Sequence, residues 1–284
     1  VRRRLAAGGR AWDEGAAVKI AFVGKGGAGK SAIAGTFARA LARLGEPVLA
    51  IDSDPMPGLA FSLGLALDDA PLPDDLVDER AEGEEGPRFR LRAGLTPLEA
   101  VERYAATAPD GVRFLSFGKI RTVNADNSPS IMRSQFAFRQ ITAGLEEARW
   151  SLVGDLPGGT RQAFTGWGDY AETYLVVVEP SAKGMLSARR LARLAHAGER
   201  HRTVLAVVNR VREPGDVERV ARRTGLEVVG AVPWDEELAE AERQALAPID
   251  HAPSAAAVRA VESLVGSLVD RLATDRIDEE TNRR

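Results

Sequence analysis

Seven short apolar runs divide this 284-residue chain, and the hydrophobic residues between them keep a helical rhythm. Val18, Ile20, Phe22 and Val23 form the first run, and the others occupy residues 47–51, 112–117, 150–155, 173–178, 203–208 and 227–232. Runs of this length, bounded by glycine, proline and acids, read as strands. Near-continuous hydrophobicity, as opposed to strict alternation, marks strands covered on both faces. After the first run, Ile33, Phe37, Ala40, Leu41 and Leu44 recur at helical intervals and give a helix one apolar side. The same rhythm predicts helices over 97–104, 130–147, 182–197 with Ser181 as its cap, 214–224 and 254–272. Strands separated by helices, with right-handed crossovers, predict an α/β fold: a doubly wound, mainly parallel sheet with helices on both faces. A ligand then belongs at the carboxyl edge of that sheet.

This pattern runs without a break from residue 18 to 273, which we take as one domain. Residues 1–17 carry Arg2, Arg3, Arg4 and Arg10 with Gly8 and Gly9, lack an apolar stretch of secretory length, and are expected to be a flexible extension. Residues 274–284 are expected to be a polar tail. Residues 67–86, rich in Asp and Glu, read as a solvated surface insertion, and 89–92 alternate like an edge strand.

Between the first strand and the first helix stands Val23-Gly24-Lys25-Gly26-Gly27-Ala28-Gly29-Lys30-Ser31, which satisfies the P-loop pattern in the context that pattern requires. Backbone N–H groups must turn inward there around phosphate oxygens, where a Cβ would obstruct them, and the helix N-terminus adds favourable partial charge. Gly24, Gly26, Gly27, Ala28, Gly29, Lys30, Ser31 and Ala32 are therefore the candidate nucleotide contacts. Lys30 would reach the terminal phosphates of ATP, and the Ser31 hydroxyl would face Mg²⁺. Two later strands end in acids. One closes with Asp52-Ser53-Asp54-Pro55; the other closes with Asp155, a Walker B acid placed to hold Mg²⁺ through its water shell, followed by Leu156-Pro157-Gly158-Gly159. Gly158 would let backbone N–H groups approach the γ-phosphate.

Composition narrows the reading. With 44% hydrophobic residues the chain can bury a large core, and a net charge of −3 argues against nucleic-acid binding as its main business. There is no cysteine, which removes disulfides, thiolate metal sites and cysteine nucleophiles together. His196, His201 and His251 do not make up a metal set, the first two being off the pairing interval of a helix face. No run approaches a membrane span, so a cytoplasmic location is expected.

Lys25 is not required by the ordinary P-loop pattern. With it, Lys-Gly-Gly-Ala-Gly-Lys-Ser resembles the deviant Walker A sequence of the MinD/ParA class of ATPases. The resemblance implies that Lys25 reaches across an ATP-sandwiched homodimer to the partner's nucleotide, that Asp54 positions the attacking water, and that Asp52 lies near the metal shell. It also implies that Asn209 reads the adenine edge and that Pro233-Trp234-Asp235 closes over the base, with Trp where the family has Tyr; an asparagine after a strand is also ordinary turn chemistry. Within the class, residues 114–120, 176–181, 207–211 and 230–235 resemble the CooC-like maturation ATPases of nickel carbon monoxide dehydrogenase. Those proteins carry a Cys-x-Cys-Pro metal motif where this chain has Asp126-Asn127-Ser128-Pro129, so hard oxygens replace soft thiolates and the metal site is not inherited.

The expected function is that of a Mg²⁺-dependent ATPase, dimeric with ATP, switching an unidentified client protein in metalloenzyme maturation. A positioning or partition ATPase would need a DNA or membrane surface, for which Arg189, Arg190, Arg193, Arg200 and Arg202 are the candidates on the DNA side. A nucleotide-gated scaffold with little turnover is the third reading, and the intact Asp54 argues against it.

Overall fold

Valine-, isoleucine- and leucine-rich runs become the central strands of an eight-stranded sheet, in a computed structural model that describes residues 4–5, 11–12, 17–54, 58–66, 72–86, 88–118, 128–145, 148–159, 164–197 and 202–282. Chain order begins with β1 (Arg4–Leu5) and β2 (Ala11–Trp12), an antiparallel two-residue ladder, then β3 (Lys19–Gly24), α1 (Lys30–Arg43), β4 (Val48–Asp52) and α2 (Leu59–Leu63). Next come β5 (Val77–Glu79), β6 (Phe89–Leu91), α3 (Pro97–Tyr104), β7 (Ala106–Thr107), β8 (Arg113–Ser116), α4 (Ser128–Ala143) and β9 (Ser151–Asp155). The last third holds β10 (Thr173–Val178), α5 (Ala182–Ala197), β11 (Thr203–Val211), α6 (Asp216–Thr224), β12 (Glu227–Pro233), α7 (Glu236–Arg243), α8 (Pro248–His251) and α9 (Ala256–Asn282).

The strand order is β12-β11-β10-β3-β9-β4-β8-β7, parallel throughout except for β7, which pairs antiparallel with β8 at the edge. Residues of β3 alternate between two cores: Ile20 and Phe22 pack with α1, α8 and α9, while Ala21 and Val23 pack with α4, α5 and α6. Phe22 meets Phe37 of α1 edge to face, with ring centroids 5.6 Å apart. Both faces of the sheet are therefore covered, as near-continuous apolar strands require. Helix α1 is also held by a charge. Arg39 is 2% exposed; its Nε donates to Asp110 Oδ2 (2.7 Å), a second nitrogen to Asp250 Oδ1 (2.9 Å), and a third to Asp250 Oδ2 and the Leu63 carbonyl.

Several expectations need correction. The acidic stretch is only partly a solvated insertion: residues 81–86 are exposed, but Leu72, Leu76 and Val77 are buried, and β5 pairs with β6 in a separate antiparallel ribbon whose Phe89 packs with Phe136 of α4. Acids on the outward positions mask the apolar inward ones. Residues 89–92 thus form no edge of the main sheet; β7 does, and it was not foreseen. Helices α7 and α8 were also missed, being short and polar. The last helix runs on past residue 272 to Asn282, so the polar tail continues α9. The replacement of the cysteine motif at 126–127, Pro55, and His201 lie outside the described residues. No helix among the described residues is long and apolar enough to cross a membrane.

Candidate nucleotide-binding site

Three strand ends converge where the P-loop leaves the sheet. Asp155 of β9 stands level with Phe22 of β3 on one side and Asp52 of β4 on the other. Between β3 and α1 the loop turns tightly, with Ala28 N donating to Lys25 O (3.2 Å). Gly29, at φ 86°, is the N-terminal boundary of α1, and no side chain caps that helix and no acid sits in its first turn. The first N–H groups of α1 are thus presented to an anion, together with the positive end of the helix dipole. Gly26 and Gly27 are exposed, Ala28 is buried, Lys25 and Ser31 are half-buried, and Lys30 is buried at 7% exposure. Among the described residues Lys25 has no ion-pair partner.

The loop after Asp155 lies directly on the P-loop. A Cβ on Gly158 would stand 2.8 Å from the Gly26 Cα and 3.7 Å from Lys30 Nζ, so this approach requires glycine, and Gly159 N donates to Gly24 O at 3.1 Å. Lys30, Gly158 and the P-loop backbone therefore come together.

Acids gather beside them. Ser31 Oγ donates to Asp155 Oδ2 at 2.5 Å, while Asp155 Oδ1 has no partner among the described residues. Asp52 accepts from the backbone N–H of Asp54 (3.0 Å), Gly58 (3.2 Å) and Leu59 (3.0 Å), so it anchors the turn and the start of α2. Burial, then the Asp155 charge, pushes the Asp52 carboxyl far above its ordinary range. Burial also raises Asp155, against the pull of Lys30 and the Ser31 hydrogen bond. Two buried carboxyls side by side cannot both ionise cheaply without a cation. The hydroxyl, the orphaned carboxylate oxygen and the absence of any sulfur ligand fit Mg²⁺, which is commonly held by one or two carboxylates together with substrate phosphates.

The base-side candidates are placed less simply. Asn209 is buried against the P-loop, its Nδ2 donating to Ala28 O (2.8 Å) and its Oδ1 accepting from Arg210 N (2.9 Å), so in this state it braces the loop. Pro233 ends β12. Asp235 caps α7, accepting from Glu237 N (3.0 Å) and Leu238 N (3.4 Å), and its other oxygen accepts from Ala257 N (3.2 Å). Its carboxylate is committed to holding helices in this state. Trp234 is 37% exposed beneath the Arg212 guanidinium, 4.1 Å from the ring centroid. Tyr170, which spacing alone did not single out, is buried behind β9 with its hydroxyl against Gly154.

Comparison with known proteins accords with this geometry. The sequence model described as the CobQ/CobB/MinD/ParA nucleotide binding domain matches residues 20–249. An uncharacterized ATP-binding protein of Methanocaldococcus jannaschii is 29% identical over 235 residues, covering 79% of this chain and 88% of that protein. The carbon monoxide dehydrogenase accessory protein CooC of Rhodospirillum rubrum is 27% identical over 265 residues, covering 90% of this chain and 97% of that one. Among solved structures, a ParA family ATPase from Chlorobium tepidum superposes with a TM-score of 0.65 at 16% identity, over 88% of this chain and 98% of that one. The septum site-determining protein MinD complexed with Mg-ADP from Pyrococcus horikoshii gives a TM-score of 0.65 at 18% identity, over 89% and 96%. At these identities the two structures speak to the fold.

Proposed function

The chain belongs to the CobQ/CobB/MinD/ParA family of nucleotide-binding proteins, and from that premise we propose that it is a Mg²⁺-dependent ATPase that dimerises on ATP and switches a client protein during metalloenzyme maturation. The observation that carries the reading is the packing of Gly158 and Lys30 against the P-loop beside the Ser31, Asp52 and Asp155 cluster. In this proposal the P-loop N–H groups and Lys30 hold the phosphates, and Asn209 with the Pro233–Trp234 turn borders the base. Asp54 orients the attacking water. Mg²⁺, when held by Ser31 and through water by Asp155, supplies positive charge to the phosphate oxygens. Lys25, half-buried on the loop with no ion-pair partner among the described residues, is available to complete the site of a second copy, adding charge where negative charge develops.

The maturation role is supported by similarity to CooC over nearly the whole length of both chains. It comes without that group's cysteine motif, because the chain has no cysteine, so the client is served by conformation and not by a thiolate-bound metal. A second reading, a positioning or partition ATPase, is favoured by α5, which carries exposed Arg189, Arg190 and Arg193 and no acid. ATP-dependent, salt-sensitive binding to nonspecific DNA would support that reading over the first.

Light scattering on the Asp54→Ala protein tests the switch. A monomer or weak dimer without nucleotide or with ADP, and a tight dimer with Mg²⁺ and ATP, is the expected result. One mass under every nucleotide condition would overturn it.

A further inference from the structure

Strand β11 breaks its register where it reaches the nucleotide loop. Its pairing with β12 passes from Asn209 opposite Val232 to Val211 opposite Pro233, so Arg210 has no counterpart there and forms a bulge. Arg210 holds φ 59°, in the left-handed region that a residue with a side chain enters only at a cost. The bulge also resets which way the side chains face. Leu205 and Val207 pack on the α1 side of the sheet and Ala206 and Val208 on the other, and Asn209 keeps that alternation, with its amide on the nucleotide loop. Val211 would share the Asn209 side in a regular strand, yet it packs on the side of Val208. Inside the bulge, the Arg210 N–H donates to Asn209 Oδ1 at 2.9 Å, and Asn209 Nδ2 donates to Ala28 O at 2.8 Å. A Cβ on Gly29 would collide with that nitrogen, so the amide fills the space directly behind the start of α1. Two carboxylates pin the Arg210 guanidinium: Glu179, just after β10, at 2.5 Å, and Glu242 of α7 at 3.9 Å. Strained backbone of this kind persists only where its surroundings over-determine it.

We propose that Arg210 is a positioning residue for the phosphate loop: its bulge, pinned by Glu179 and Glu242, aims the Asn209 amide at Ala28 O and so turns the Gly29 N–H toward the phosphates. A planar trans peptide carries its C=O and the following N–H on opposite sides. A carbonyl of Ala28 held from behind therefore presents the Gly29 N–H forward. Gly29 opens α1, where no side chain caps the helix, so an anion is the natural partner of that end. Arg210 touches no phosphate and acts through Asn209. The inference rests on the reading of residues 24–31 as a phosphate cradle, and it assigns the Asn209 amide to the phosphate end of the nucleotide.

The test is competition binding, in which a fluorescent ADP is displaced by ADP and, separately, by inorganic tripolyphosphate, which has no base. Wild type, Arg210→Ala, Arg210→Gly and Glu179→Gln are compared. Alanine loses the ion pairs and keeps the cost of φ 59°, whereas glycine loses the same ion pairs and adopts that φ freely. Arg210→Ala is expected to weaken both competitors about tenfold. Arg210→Gly should recover most of that loss, and Glu179→Gln should weaken both competitors about threefold. Wild-type affinities in Arg210→Ala would overturn the proposal. An equal loss in Arg210→Gly and Arg210→Ala would also overturn it, since that marks the ion pairs and not the backbone they hold. So would weakened ADP binding with unchanged tripolyphosphate binding, which puts the effect at the base. If Arg210→Ala does not fold, an unchanged tripolyphosphate affinity in Glu179→Gln overturns the proposal equally. A wild type that binds neither fluorescent ADP nor tripolyphosphate would instead remove the phosphate-loop reading, and this inference with it.

Discussion

Helix α1 serves two buried charged clusters, and they are built on opposite principles. At its N-terminal end Lys30 and Ser31 face Asp52 and Asp155, like charges crowded together with an oxygen left unpaired. Further along, Arg39 is ringed by acceptors: Asp110, both oxygens of Asp250 and the Leu63 carbonyl, with Arg43 adding a second donor to Asp110 at 3.0 Å. Burial pushes the Asp110 carboxyl up, and the hydrogen bonds and charges of the two arginines outweigh it and hold it below the usual range. One cluster is complete in the free protein and the other is not. A buried charge with its partners present holds the fold together, whereas a buried charge with partners missing stores the capacity to bind.

Substitutions in the two clusters should therefore fail differently. Lys30→Ala is expected to lower ATP turnover about 10²–10³-fold and to weaken nucleotide binding while the chain still folds; calorimetric titration with ATP and ADP checks it, and wild-type affinity would break the contrast. Arg39→Ala should do the reverse, costing about 2–3 kcal/mol in urea unfolding. That is less than a fully buried pair, because Asp250 is half in solvent. Material that remains folded should bind ADP normally. Lys25→Ala should have the narrower effect of sparing ADP affinity and abolishing the ATP-induced dimer in the Asp54→Ala background, read by light scattering.

The remaining effect is on pH dependence. Because the folded-state carboxyl of Asp52 is raised from 3.8 to about 8, the native state binds a proton that the unfolded chain has released. The stability contributed by that protonated form is present at low pH and is lost as pH rises through this window. The thermal midpoint of the free protein should fall across it. Asp52→Asn should flatten the slope, and saturating Mg²⁺ with ADP should reverse it, since the ligand favours the ionised pair.

The same division explains what could be read in advance. The P-loop was legible because phosphate geometry demands contiguous glycines, and β3, β4, β9 and β10 because strands buried on both faces leave an unbroken apolar run. Asp155 was legible as an acid ending such a strand. The Arg39 cluster was not, since its partners come from α2, α8 and the turn before β8, and no local spacing announces a bond between residues 39 and 250. Tyr170 was hidden for the same reason. The β5–β6 ribbon was obscured by its own acids, and the cap that Asp235 places on α7 went unread because that helix was not foreseen.

Helix α2 lies between the two clusters and is held at both ends. Its first N–H is bonded to Asp52, its last carbonyl accepts from Arg39, and Ser62 presses on Gly35 of α1 so closely that no side chain would fit between them. Whatever a nucleotide does to the strand end at Asp52 is thus arrested within one short helix, with little travel left to pass on. In the proposed switch, a client that senses the nucleotide through this edge would read it at close range, beside the nucleotide loop, because the signal has no long arm to carry it across the molecule.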